Sequence, residues 1–205
     1  MTLSVWERAL GDRTRDLSSG LRAYFSLPPA GQLGHGTGVY EIAGSRHRWL
    51  RPVLAYLAWR RILFPEYERD VPFTVTNTPT ADGALRARRN FSFAGVERVM
   101  VDEMRIVDGE LHDFLGRRGG LEAALELSID EGMLRLSSRR LWLHLGRARL
   151  PLPTLARIHL VEKSVDAGQS VDVRIVSPLL GEWFVYRGEF TYAVSSEGRP
   201  SAPFR

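Results

Sequence analysis

The chain has 205 residues, no cysteine and a formal net charge of +4, from 28 basic and 24 acidic residues. The absence of thiols excludes disulfides and thiolate metal sites and suits a cytoplasmic protein, and the length suits one domain with elaborations rather than two. With 44% hydrophobic and 25% charged residues the chain can bury an ordinary core.

The charge is uneven. Residues 1–100 carry 14 Arg and 9 acids, whereas residues 101–205 carry 13 Arg, one Lys and 15 acids. A basic first half suits an anionic surface. No basic block or nucleic-acid motif accompanies it, so nucleic acid is not an expected partner. The opening "MTLSVWERALGDRTRD" is charged throughout and does not read as a signal peptide.

Residues 1–30 read as an N-terminal helical segment. Ser4 and Glu7 are spaced as a capping box, and "LPPAG" at Leu27–Gly31 breaks the helix. The glycine-rich "GQLGHGTGVYEIAGS" of Gly31–Ser45 follows. A phosphate loop comes after a strand and opens a helix. Here the order is reversed, so the stretch reads as the way into a strand, with glycines allowing positive φ and close packing. His35 has no carboxylate or second histidine at ligand spacing.

A second helix is expected in "RWLRPVLAYLAWRRILF", with Leu50, Val53, Leu54, Leu57 and Phe64 near one buried stripe and Pro52 in the first turn. Trp49, Tyr56 and Trp59 sit among arginines. They could form a membrane-surface face, but packing against a sheet is the preferred reading.

From Val71 the period changes to two. Strands are expected in "VPFTVTNTP", "LRARRNFSF", "LHDFL", "LEAALELSID", "MLRLSSRRLWLHL", "RIHLVEKSV", "VDVRIV" and "EWFVYRGEFTYAV". Asp108-Gly109, Glu131-Gly132 and "DAGQ" are turn signals between them. In "MLRLSSRRLWLHL" Leu136 and Leu141 are an odd number apart, which requires a bulge near Ser137–Arg139. Successive strands with hairpin-sized gaps make an antiparallel meander, and a long twisted meander must curl to protect its edges. The expected class is mainly β with helices (α+β), a partly closed calycin-like β-barrel with a helix at its mouth or open side. A helix-grip sheet is the alternative. The barrel-like domain should span 31–194, leaving 195–205 as a tail.

Charge on apolar faces is the informative anomaly. Arg89 shares parity with Leu85, Ala87, Phe91 and Phe93; Asp113 with Leu111 and Leu115; Glu162 with Ile158 and Leu160. If those faces point inward, one arginine and two carboxylates share the interior, where unpaired charge is costly. Three readings follow: a structural ion triad, a polar anchor for an amphipathic ligand with Arg89 holding its acidic or polar end, or catalysis with a carboxylate as acid/base. The favoured one is a cavity that binds a lipid-like or other hydrophobic small molecule, with Arg89, Asp113 and Glu162 as ligand-binding residues. Proton transfer or isomerisation in the same cavity, or a membrane- or protein-interaction module, are the alternatives. The five histidines form no ligand pair, so neither metal nor cofactor is expected. No serine has a nucleophile-elbow context.

The phrases "HGTGVYEIAG", "RNF" (Arg89–Phe91), "GELHDFLG", "GRARLPLP" and "SPLLGEWFVYRGEFTY" together resemble a bacterial domain family of unknown function, number 4166. Its members occur alone or fused to saccharopine-dehydrogenase-like reductases. The resemblance runs from about Leu27 to Tyr192. It rests on His35-Gly36, Arg89 with Phe91, Asp113 before Gly116, Leu150–Pro153 and Pro178–Gly188. Ala87 stands where the family often has tryptophan, and Asp113 where glutamate is more usual. The resemblance implies no particular reaction, but it meets the parity argument at Arg89 and Asp113.

Overall fold

The computed structural model describes residues 3–153, 156–166 and 168–196. Eleven strands form one antiparallel sheet: β1 (Gln32–Gly44), β2 (Tyr67–Pro79), β3 (Leu85–Phe93), β4 (Val96–Val107), β5 (Glu110–Leu115), β6 (Leu121–Asp130), β7 (Met133–Leu145), β8 (Ala148–Pro151), β9 (Arg157–Val165), β10 (Gly168–Ser177) and β11 (Gly181–Ser196). The order β6-β5-β4-β3-β2-β1-β11-β10-β9-β7 closes on itself because β6 also pairs with β7. The product is a closed ten-stranded barrel, and β8 is a short arm paired to β7 outside the ring.

The strand alternation was legible. It omits two strands, the short β8 and β4 at 96–107, whose Met100, Asp102 and Met104 all turn inward. Two of the three turn signals hold as well, and the third, "DAGQ", includes Ala167, which lies outside the described residues. Asp108-Gly109 and Glu131-Gly132 both take positive φ, closing the β4–β5 and β6–β7 hairpins as two-residue loops. The expected bulge lies at Arg139, the residue skipped between the pairs Leu125↔Ser138 and Ala124↔Arg140.

The glycine run is strand β1 itself. Its positive φ values lie only at the margins, at Gly31 and Gly44. Gly34 and Gly36 are needed for space: a Cβ at Gly34 would overlap the Tyr192 ring, and one at Gly36 would meet Val75 and Phe190.

Two helical plugs stop the ends of the barrel. At one end sit α1 (Val5–Leu10), with its Ser4–Glu7 capping box, and α2 (Ser19–Phe25). Trp6, Leu10, Leu21 and Phe25 pack there on Met104, Leu111, Leu134 and Leu136. The N-terminal segment is therefore part of the barrel's core. The reading of 195–205 as a tail meets β11, which continues to Ser196; residues 197–205 lie outside the described residues.

At the other end lies α3 (Arg51–Trp59), shorter than its sequence suggested, with Pro52 in its first turn. Ile62 N–H bonds to the Leu57 carbonyl and Arg61 N–H to that of Ala58, with Arg61 at positive φ. This Schellman-type closure turns the chain inward. It drives Ile62, Leu63 and Phe64 into the barrel, where Phe64 meets Phe91, Phe93 and Phe184 at ring separations of 4.8–5.0 Å. Leu54 is buried and Leu50 and Leu57 pack on the core, but Val53 points to solvent. The preferred packing of Trp49, Tyr56 and Trp59 against the sheet does not occur: they are 62%, 52% and 65% exposed. A nine-residue helix lying across a barrel mouth has only one face to bury, and Leu54 occupies it.

The space argument at β1 yields a test. Gly34→Val should lower stability by about 1–3 kcal/mol, as overpacking of a filled interior does, whereas Gly31→Asn at the exposed strand margin should cost far less. Urea melts of the two variants check this.

Candidate functional site

Closing the barrel gathers three neighbouring strands and one opposite strand around Arg89. On β3, Arg89 faces inward between buried Ala87 and Phe91. On β4, Asp102 lies opposite Ala87, one diagonal step from Arg89, and its Oδ1 accepts a hydrogen bond from Arg89 Nη1. On β5, Asp113 pairs in register with Met104. Across the barrel on β9, Glu162 is flanked by Leu134 and Val171 and is 8% exposed. All three residues expected from strand parity thus point into the interior. Asp102 was missed, although the alternation Met100, Asp102, Met104 carries the same signal.

The electrostatics are unbalanced. One guanidinium faces three carboxyl groups, and Asp102 Oδ2, Asp113 Oδ1 and Glu162 Oε2 are buried without a hydrogen-bond partner among the described residues. Burial opposes the charge of Arg89, but the Asp102 carboxylate and the tyrosines Tyr186, Tyr40 and Tyr24 outweigh it and hold the guanidinium firmly protonated. Burial raises Asp102, with Arg89 pulling it back. Asp113 is pushed well above the usual carboxylate range by burial and then by the Asp102 charge. Burial lifts Glu162 to about 7, against the attraction of Arg89. At neutral pH the interior therefore holds one ion pair and two carboxyl groups inclined to keep their protons.

Three of these groups, Arg89, Asp102 and Asp113, border a cavity of about 70 Å³, and Glu162 is not part of its lining. Arg89, Asp102, Asp113 and Tyr186 line it together with apolar side chains that include Leu63, Met100, Leu136 and Leu160. Leu63 comes from the plug behind α3, so that plug forms one wall.

A second polar cluster lies on the outer face of β5–β8. Glu122, 2% exposed, is bound through Oε1 to His112 Nδ1 at 2.7 Å and through Oε2 to His144 Nε2 at 2.6 Å. Arg149 donates to both oxygens, at 2.8 and 2.6 Å, and lies 3.9 Å over the Trp142 ring. Burial would raise Glu122, but Arg149, His144 and His112 together hold it at about 2. The two histidines seemed scattered in sequence; the β6–β7 closure and the β8 arm bring them onto one carboxylate. Among the described residues no group of three acids or histidines is arranged to hold a metal ion. The cluster is a clamp that ties four strands.

The model of the domain of unknown function DUF4166 matches residues 17–190. The chain belongs to the DUF4166 family. It is also similar to the uncharacterized protein YndH of Bacillus subtilis (strain 168). The two are 30% identical over 169 residues, covering 76% of this chain and 81% of that one. Of the motifs that suggested the family, only part reaches the barrel's interior, and Leu150–Pro153 lies on the exposed β8 arm outside the ring. Arg89 and Asp113 line the cavity, Phe91 is fully buried, and the segment Pro178–Gly188 begins at the β10–β11 turn and runs into β11.

Two titrations of opposite sign follow. The folded Glu162 keeps its proton to about pH 7, whereas an unfolded glutamate releases it near 4.5. The folded state binds more protons in that window, so stability falls as pH rises through it. Glu162→Gln should remove this slope and raise stability at pH 8 by roughly 2–3 kcal/mol, checked by urea melts at pH 5 and pH 8. For Glu122 the folded value is depressed, so its contribution is present above pH 4.5 and lost as pH falls towards 2. Glu122→Gln should lower stability at pH 7 by about 2 kcal/mol and speed hydrogen exchange in the β7–β8 arm.

Proposed function

We propose that the barrel interior binds a small amphipathic molecule, apolar in body and carrying hydrogen-bond donors at its head. The observation that carries this reading is the pair of partnerless buried carboxyl oxygens, on Asp102 and Asp113, in the wall of an apolar cavity, with a third on Glu162 elsewhere in the barrel interior. A structural triad alone would satisfy its own oxygens, because an unpaired buried acceptor costs about 1–3 kcal/mol. Arg89 already donates through Nη1 to Asp102 and so positions that carboxylate, while its other N–H donors remain for a polar head group. The open acceptor valences belong to Asp102, Asp113 and Glu162, and they suit an amine, a hydroxyl or an amide N–H.

Size limits the occupant. About 70 Å³ is less than the ~150 Å³ of an apolar cavity that takes up benzene. The closed barrel accepts a small head or a chain end. A lipid-sized body requires the Leu63–Phe64 plug to move. One observation also favours chemistry within the barrel interior. A carboxyl near pH 7 is matched to general acid/base work at neutral pH, which makes Glu162 the residue for proton transfer or isomerisation.

Native mass spectrometry of the purified protein, with solvent extraction of what co-purifies, tests the binding reading. A discrete added mass is expected, retained in Arg89→Lys and lost or weakened tenfold or more in the Asp113→Asn, Glu162→Gln double variant. An empty barrel would defeat it if small amines and alcohols also gave no thermal shift.

A further inference from the structure

The α3 end of the barrel shows solvent a surface of a different kind. Residues 42–65 contain no acid and five arginines: Arg46, Arg48, Arg51, Arg60 and Arg61. Among the described residues none of these five makes an ion pair. Interleaved with them are Trp49, Val53, Tyr56 and Trp59, spaced three or four residues apart and hence on one helical face, each more than half exposed. The β10–β11 turn stands at the same end, where His47 Nε2 lies 3.4 Å from the Glu182 carbonyl oxygen, and Leu179 at its tip is 82% exposed.

The cationic character continues onto the adjoining wall. The loop after β5 approaches α3, with Arg117 N–H bonded to the Arg60 carbonyl. The pKa of Arg61 is lowered by desolvation and then by the charges of Arg117 and Arg88, so these guanidiniums crowd one another without a compensating acid.

From this arrangement we propose that the α3 end docks on the surface of an anionic lipid bilayer. A short helix presenting tryptophan, tyrosine and valine on one face, ringed by arginines, matches the headgroup boundary: amphipathic rings settle at the interface while guanidiniums meet lipid phosphates. A second copy of the same face would oppose five arginines with five more. A nucleic acid offers phosphates but no apolar phase for Val53 and Leu179. The docking is independent of whether the interior takes a ligand.

Flotation of the full-length protein with vesicles of equimolar phosphatidylglycerol and phosphatidylcholine tests the proposal. The protein should float with these vesicles at low salt, bind pure phosphatidylcholine at least tenfold more weakly, and shift its tryptophan emission to the blue on binding. Arg48→Glu with Arg51→Glu, and separately Trp49→Ser with Trp59→Ser, should each cut partitioning by roughly tenfold or more. All four positions are exposed, and unchanged thermal melts would show that the fold persists. Failure to float, or floating that neither pair alters, overturns the proposal. So does duplex DNA binding abolished by the arginine pair with vesicles ignored, or a dimer in sedimentation velocity that the tryptophan pair dissociates.

Discussion

The pairing of β6 with β7 is the constraint on which the structure rests. It joins the two ends of a ten-stranded sheet that would otherwise expose two long edges. Closure fixes an inside and an outside for every residue on ten strands at once. It also sets the diameter. Eight strands leave room that side chains just fill, and ten leave more. The surplus is taken up by a stacked aromatic core around Tyr40, Phe73 and Phe91, by Phe64 thrust in from the loop after α3, and by the α1–α2 plug at the opposite end.

What remains unfilled is small and mostly apolar, with charged groups in its wall. The interior could have been sealed with hydrocarbon, yet it holds Arg89 and three acids of which only Asp102 is directly paired. Burying these groups without partners works against folding, as the upward displacement of Glu162 to about 7 records. Glu122 on the outer face is the contrast. It is as little exposed but lies on the outer face and is fully partnered, and it is held at about 2. One protein thus carries two carboxylates of opposite fate. Hydrogen-bond supply and depth of burial together separate them.

The two ends of the barrel are also unlike. Both are stopped by helices, but α1 and α2 bury their apolar faces, whereas α3 buries Leu54 and leaves an aromatic, arginine-rich face uncovered. The excess of arginine in the first half of the chain is concentrated around this end. The same short segment therefore supplies Leu63 to the cavity wall and the exposed face outside it.

Alternation with period two made the strands, their hairpins and the Arg139 bulge legible in the sequence, because facing is local: each residue's side follows from its neighbour's. The same local rule put Arg89, Asp113 and Glu162 inside. Asp102 obeyed it too and was overlooked because its strand was. What no local rule could supply was distance around the ring. That Asp102 rather than a ligand would hold Arg89, that His112 and His144 would share Glu122, and that α3 would turn its tryptophans outward all depend on closure. Cross-strand register and the width of the closed barrel decide which faces meet and which have nothing to meet, and those are properties of the whole sheet.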